Sequence, residues 1–227
     1  MNQKMKLLDL YCGAGGCSVG YKRAGFDVVG VDLHPQPRYP FKFFQADALE
    51  YLRENWMHFD VIHASPPCQA HTAINHAKKG RIASLVDDTR AELNRIGLPY
   101  VLENVPGAPM RNAIMLCGTM FGLDVIRHRL FDSNQILHAP LQGCQHRGSV
   151  SDGTYVSVHG GGQRSTHAIP YSEQRKRWEE AMGIEWMGTR RELVNAIPPA
   201  YTEYIGHQLM ALLEMQYERA GGFWVPA

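Results

Sequence analysis

The chain has 227 residues, 44% of them hydrophobic and 20% charged, with a formal net charge of +1. That length suits one α/β core with at most a small subdomain, and the composition is that of an ordinary globular protein. A near-neutral balance excludes a molecule that grips polyanions with its whole surface and leaves only local basic clusters such as "HAKKGR" and "QRKR" for that purpose.

In chain order, "MKLLDLYC" reads as a buried strand and "GAGGCSVGYKRAGF" as a glycine turn opening a helix. Strands follow in "DVVGVDL", "FKFFQADA", "FDVIHAS" and "LPYVLENV", with helical "LEYLRENW" and "DDTRAELNRIG" between them. Short apolar strands alternating with amphipathic helices predict a Rossmann-like, mostly parallel sheet covered on both faces. "AIMLCGTMFGLDVIRHRLFDS" reads as a helix followed by one or two strands. A loop-rich stretch from about 134 to 171 holds one candidate strand, "YVSVHG", and helices close the chain in "YSEQRKRWEEAMGI" and "PAYTEYIGHQLMALLEMQYERA". No apolar run approaches the length of a membrane span, and the start lacks a signal-peptide pattern. Five scattered cysteines, an odd number, argue against a disulfide framework and for a reducing cytoplasm.

The glycine turn places Asp9 at a strand end ahead of Gly13, Gly15 and Gly16. Glycines allow a tight turn and close approach of a ligand, and Asp32, at the end of the second strand, suits a ribose. Asp47, near the end of the third, could accept from an exocyclic amine. A purely structural turn is the alternative. The turn lacks the Gly-Lys-Ser/Thr signature of a phosphate loop, so S-adenosylmethionine fits better than NAD or ATP.

Cys68 follows Pro66 and Pro67 at the end of the fourth strand, where the prolines fix the local backbone. An ordinary cysteine is a small core hydrophobe, the reading that suits Cys12, Cys17, Cys117 and Cys144. Cys68 differs because Glu103 ends the next strand along the same sheet edge, between apolar neighbours that favour its protonated form. Downstream, "DVIRHRLF" would project Arg127 and Arg129 to one face if it is a strand, letting one of them pair with Glu103.

The set "LDLYCGAGG", "ASPPCQ", "LENV", "IRHRLF" and "NAIPPAY", in this order, resembles the DNA cytosine-5 methyltransferase family over roughly residues 6–132 and 178–210. The resemblance implies a catalytic domain from 1–132 and 178–227, with 133–177 as a reduced target-recognition insert. It implies Cys68 as nucleophile on carbon 6 of cytosine, Glu103 on the ring nitrogen and exocyclic amine, and Arg129 on the ring carbonyl with Arg127 in support. Asp9, Tyr11, Gly13, Ala14, Gly15, Asp32, Leu33, Asp47, Pro67 and Asn195 would line the S-adenosylmethionine site. Pro67, Gln69, Lys78, Lys79 and Arg81 would face an extruded base and its phosphates, although a plain solvated loop fits the basic residues equally. Duplex DNA is the implied partner of a monomer working in the cytoplasm of a bacterium or phage-infected cell. The same chemistry on RNA or a free cytosine nucleotide, or a catalytically silent regulatory relative, are the alternatives.

Two departures stand out. The gap from about Ser133 to Arg177 is short for a recognition domain, which predicts short or relaxed sequence specificity, with Arg147 and Arg164 as candidate readers. The arginine motif also carries Val125 where the family usually has Gln. Within the insert, His138, Cys144 and His146 invite a zinc reading, but their spacing follows no standard pattern and offers no obvious fourth ligand, so no metal is expected.

Overall fold

The computed structural model describes residues 4–67, 83–158 and 170–219. Five strands, β1 (Lys6–Leu10), β2 (Asp27–Asp32), β3 (Lys42–Gln45), β4 (Val61–Ala64) and β5 (Tyr100–Asn104), run parallel to one another. Two more, β6 (Ile114–Leu116) and β7 (Arg129–Ser133), complete a sheet of order β3-β2-β1-β4-β5-β7-β6, with β7 antiparallel to both its neighbours. The order reverses between β1 and β4, so a crevice opens at the carboxyl ends of these strands.

The strands are apolar because both faces are covered. Leu7 and Val61 fall in the cluster beneath α1 (Gly16–Arg23) and α6 (Pro199–Arg219), together with Tyr21, Tyr201 and Leu209. Leu8, Leu10, Ile62 and Leu102 enter the opposite cluster with Leu52 of α2 (Ala48–Asn55) and Val86 and Leu93 of α3 (Ala83–Ile96). Successive side chains thus serve alternate faces, as the pleat requires. A third cluster joins Ala14 and Val125 to Val158, Trp178 of α4 (Tyr171–Met182) and Leu193 of α5 (Arg190–Asn195). Val125 is buried there.

The expected mostly parallel, doubly covered sheet is what forms. The helix expected in "AIMLCGTMFG" does not: Ile114–Leu116 is a strand, Cys117 is extended, and only one 3-10 turn follows at Gly118–Phe121. Gly118 lets the backbone press against Val125, and Gly122, at φ +70°, ends the turn at once. The candidate strand at Tyr155–Val158 is also not formed over its described residues, where Val156 N donates to Asp124 O at 2.7 Å and Tyr155 N to Ser149 O at 3.2 Å. No described helix is long and apolar enough to cross a membrane.

Candidate active site

The glycine turn after β1 is held from below and from the side. Asp9 is fully buried and accepts from Ser18, which also shares a hydrogen bond with Tyr39 Oη at 2.7 Å. Burial raises the Asp9 carboxyl to about 7, against the Ser18 hydrogen bond that lowers it. Tyr11 adopts φ +59°, Gly13 φ +50° and Gly15 φ +88°, so the chain makes a left-handed turn that two glycines ease. Tyr11 Oη bonds Thr89 Oγ1 at 3.1 Å, tying the turn to α3. Ala14 is buried, and its carbonyl accepts from Trp186 Nε1 at 2.7 Å.

Asp32 stands at the carboxyl end of β2 and accepts from Gly13 N at 3.0 Å and His34 N at 2.9 Å. Each carboxylate oxygen keeps a further lone pair, so the group remains an acceptor for hydroxyls. Leu33, next to it, is 61% exposed and offers apolar surface at the crevice. Asp47 follows β3 as the N-cap of α2, its Oδ1 accepting from Leu49 N and Glu50 N. Asn195, the last residue of α5, is exposed, and the backbone of Ile197 just beyond it packs against Gly16. The C-terminal motif therefore does return to the glycine turn.

Across the switch point, β4 runs into Pro66, which is buried, and Pro67, which is exposed. Asn104 Nδ2 donates to the Pro66 carbonyl at 3.0 Å, while Asn104 Oδ1 accepts from Val105 N. Cys68, Gln69, Lys78, Lys79 and Arg81 lie outside the described residues, as does Arg164.

Glu103 is 5% exposed in β5, and Arg129 enters β7 beside it with Nε 3.2 Å from Glu103 Oε1. The contact joins opposite charges without hydrogen-bond alignment, and Oε1 has no hydrogen-bond partner among the described residues. Burial raises the Glu103 carboxyl to about 7, outweighing Arg129 and Arg127, which lower it. A buried carboxyl in that state can both donate and accept. The two arginines do not share a strand face. Arg127 precedes β7 and is directed to the carbonyls of Val158 at 3.1 Å and Val194 at 2.6 Å, binding the insert to α5. Tyr201 Oη, in turn, donates to the Arg127 carbonyl at 2.6 Å.

Ser18, Tyr39, Asn104, Trp186 and Tyr201 all hold the site and are not marked by the sequence reading. Asn104 was the accessible one, since it sits beside Glu103 in the "LENV" motif.

No family model matches the chain. In sequence it is 25% identical over 225 residues to the Type II methyltransferase M.AplI of Arthrospira platensis, covering 91% of this chain and 60% of that one. A 73-residue stretch is 34% identical to the Type II methyltransferase M.FnuDI of Fusobacterium nucleatum, covering 29% of this chain and 21% of that one. The chain thus spans less than two thirds of the length of these curated relatives. In structure it matches a protein described as a DNA modification methyltransferase encoded within an E. coli prophage, with TM-score 0.57, 17% identity, and 93% and 100% of the two chains covered. It also matches the S. pombe Dnmt2 methyltransferase, with TM-score 0.56, 13% identity, and 94% and 99% covered. The chain is therefore similar in sequence to Type II methyltransferases and shares a Rossmann-like fold with the methyltransferases it matches in structure.

Proposed function

We propose that the protein transfers a methyl group from S-adenosylmethionine to carbon 5 of cytosine in DNA, through a covalent adduct of Cys68 on carbon 6 of an extruded base. The observation that carries this reading is the buried Glu103 beside Arg129, on the strand tied by Asn104 to the proline turn that leads into Cys68.

The glycine turn suits S-adenosylmethionine. An ideal Cβ at Gly13 meets no atom within 4 Å, so the space before the turn is open. Asp32 would accept from the ribose hydroxyls, Leu33 would contact the adenine, and Asp47 would take its amine, with Tyr11, Gly15, Pro67 and Asn195 around them. Asp9 and Ala14 act from behind, by holding the turn. When bound, the sulfonium supplies an electrophilic methyl group.

On the other side of the crevice, the Cys68 thiolate adds to carbon 6. Protonated Glu103 donates to the ring nitrogen, and Arg129 donates to the ring carbonyl, so the electrons displaced onto the ring are stabilised. Carbon 5 thereby becomes nucleophilic enough to take the methyl. Solvent then takes the carbon 5 proton as the Cys68 thiolate is expelled, and the ring nitrogen returns its proton to Glu103, which restores the aromatic ring and the acid. Arg127 acts as a positioning residue that fixes the backbone ahead of Arg129. Extrusion of the base follows from the chemistry, because carbon 6 is shielded in a stacked duplex.

Residues 133–177 serve as a reduced recognition insert on a catalytic domain formed by 1–132 and 178–227, and the enzyme works in the cytoplasm. The small insert also favours a second reading, the same chemistry on RNA or a free cytosine nucleotide. The test is incubation with tritiated-methyl S-adenosylmethionine and, separately, duplex DNA, single-stranded DNA, tRNA and dCMP. Label recovered as 5-methylcytosine in duplex DNA, and abolished in Cys68→Ala, is the expected result. Label on RNA or dCMP alone would move the function to the second reading, and turnover surviving Cys68→Ala would exclude the covalent route.

A further inference from the structure

We propose that Cys117, His128, Cys144 and His146 form a structural zinc site that fastens the loop-rich insert to the sheet edge beside Arg129. Their ligand atoms all lie within 4.8 Å of one another. Cys117 Sγ is 3.4 Å from His146 Nε2, and Cys144 Sγ is 3.5 Å from His128 Nε2. A tetrahedral zinc ion with bonds of about 2.3 Å to sulfur and about 2.0 Å to nitrogen sets such sulfur–nitrogen edges at about 3.5 Å. Two thiolates and two imidazoles are a closed zinc donor set, and softer or harder cations prefer other ligands.

The fold explains how these residues meet. Leu116 of β6 and Arg129 of β7 are the last paired positions of their ladder, so Cys117 and His128 face each other one step beyond it. Cys144 and His146 come from the insert, separated from the first pair by the whole of β7 and the chain after it. Ten residues separate Cys117 from His128 and fifteen separate His128 from Cys144, with one between Cys144 and His146. That spacing follows no zinc pattern visible in the sequence, where Cys144 and His146 stand together and Cys117 and His128 lie far from them. His138, the third residue of the sequence set, is instead bound through its backbone to Gln208.

The surroundings are those of a supported metal site. Thr119 Oγ1 donates to Cys117 Sγ at 3.4 Å and accepts from Gln145 N at 3.2 Å. Tyr155 Oη donates to Gln145 O at 3.1 Å and accepts from Arg147 N at 3.0 Å, holding the backbone on both sides of His146. Such outer contacts orient the ligands of a metal. The insert needs a fastening, since residues 134–158 contain no helix or strand and a segment of that kind buries little core of its own. As each zinc–sulfur bond forms, the thiol releases its proton to solvent. The bond to His128 would also fix the carbonyl that accepts from Arg129 Nη1 at 2.8 Å, linking the metal to the site at which Glu103 is paired.

The test is metal analysis of the full chain, purified without chelator, given equimolar zinc and passed through a desalting column. About one zinc per chain is expected, with a cobalt-substituted form showing thiolate charge-transfer and tetrahedral ligand-field absorption. Cys144→Ser should lose both. Because that variant can fail to fold, thiol modification of the wild type provides a second reading: two thiols should become reactive only when a chelator is added to the native protein. Zinc no higher than in the buffer blank, a Cys117–Cys144 disulfide in the purified chain, or undiminished zinc in folded Cys144→Ser would each overturn the proposal. None of these readings depends on methyl transfer, so the site stands or falls apart from the proposed activity.

Discussion

Asn104 Nδ2 reaches the Pro66 carbonyl at 3.0 Å, so one hydrogen bond joins the residue after Glu103 to the proline turn that precedes Cys68, the two positions proposed as acid and nucleophile. Asn104 follows Glu103 directly, and Pro66 precedes Cys68 by two residues. The amide is 1% exposed, and its other end accepts from Val105 N at 2.9 Å. A buried, doubly used amide of this kind sets the register between β5 and the loop after β4.

Asn104→Ala is expected to leave the Pro66 carbonyl and the Val105 amide without these partners, destabilising the fold by about 1–3 kcal/mol. The larger effect should be on chemistry, with kcat falling on the order of 100-fold because the nucleophile loop is misplaced. Steady-state kinetics and calorimetric binding of S-adenosylmethionine separate the two. If cofactor affinity falls as much as kcat, Asn104 supports the fold in general and not the nucleophile loop.

The strands were legible because each is a short apolar run. Leu7, Leu8, Val61 and Ile62 are fully buried and point to both faces of the sheet. The location of Asp32 and Glu103 followed from the rule that parallel strands open their carboxyl ends to a crevice. What escaped was pairing between distant segments. Trp186 meets Ala14 across 172 residues, and the four residues of the proposed zinc site come from one strand end, one strand start and a loop. Local pattern also misled at "AIMLCGTMFG", where helix-forming Ala, Met and Leu yield to strand pairing of Ile114–Leu116 with β7.

Glu103 gives a pH prediction. Its folded carboxyl is raised from 4.5 to about 7, chiefly by burial. The stability it contributes is therefore fully present below about 4.5 and is lost as pH rises through about 7. The full loss is of order 3 kcal/mol. Glu103→Gln removes this dependence, so the variant should gain in Tm relative to the wild type between pH 5 and pH 8. In the proposed mechanism the same proton serves the acid step, so kcat should fall above about pH 7 in the wild type. In the variant it should be lower by roughly 100- to 10,000-fold, without that limb. A wild-type descending limb retained in Glu103→Gln would assign it to another group.

Arg90 and Asp132 are buried, at 2% and 4% exposure, with Nη2 3.1 Å from Oδ2. They join α3, which follows the segment holding the proposed nucleophile, to β7, which carries Arg129. Asp132→Leu leaves the arginine charge buried with Asp87 and the Pro109 carbonyl, and should cost about 3–5 kcal/mol. Adding Arg90→Met should recover much of that loss, because the buried charge that has lost its buried partner goes with it. Urea unfolding of the two single variants and the double variant measures the coupling. Simple additivity would mean that the pair contributes no specific interaction.

Gly13 and Gly16 are three residues apart in the same turn and should fail differently when changed to alanine. Gly13 has φ +50° and open space where a Cβ would go. Gly13→Ala should therefore cost only about 1–2 kcal/mol of backbone strain, while its methyl enters the space assigned to S-adenosylmethionine and weakens binding. Gly16 has ordinary φ, but its Cβ would press on the backbone of Ile197, in the segment that returns Asn195 to the site. A backbone cannot step aside as a side-chain tip can, so Gly16→Ala should push that segment off the turn and cost about 1–3 kcal/mol as overpacking. Calorimetry for the cofactor and thermal unfolding, run on both variants, should show the larger affinity loss per unit of stability in Gly13→Ala. Equal ratios in the two variants would mean that the space before Gly13 is not where the cofactor lies.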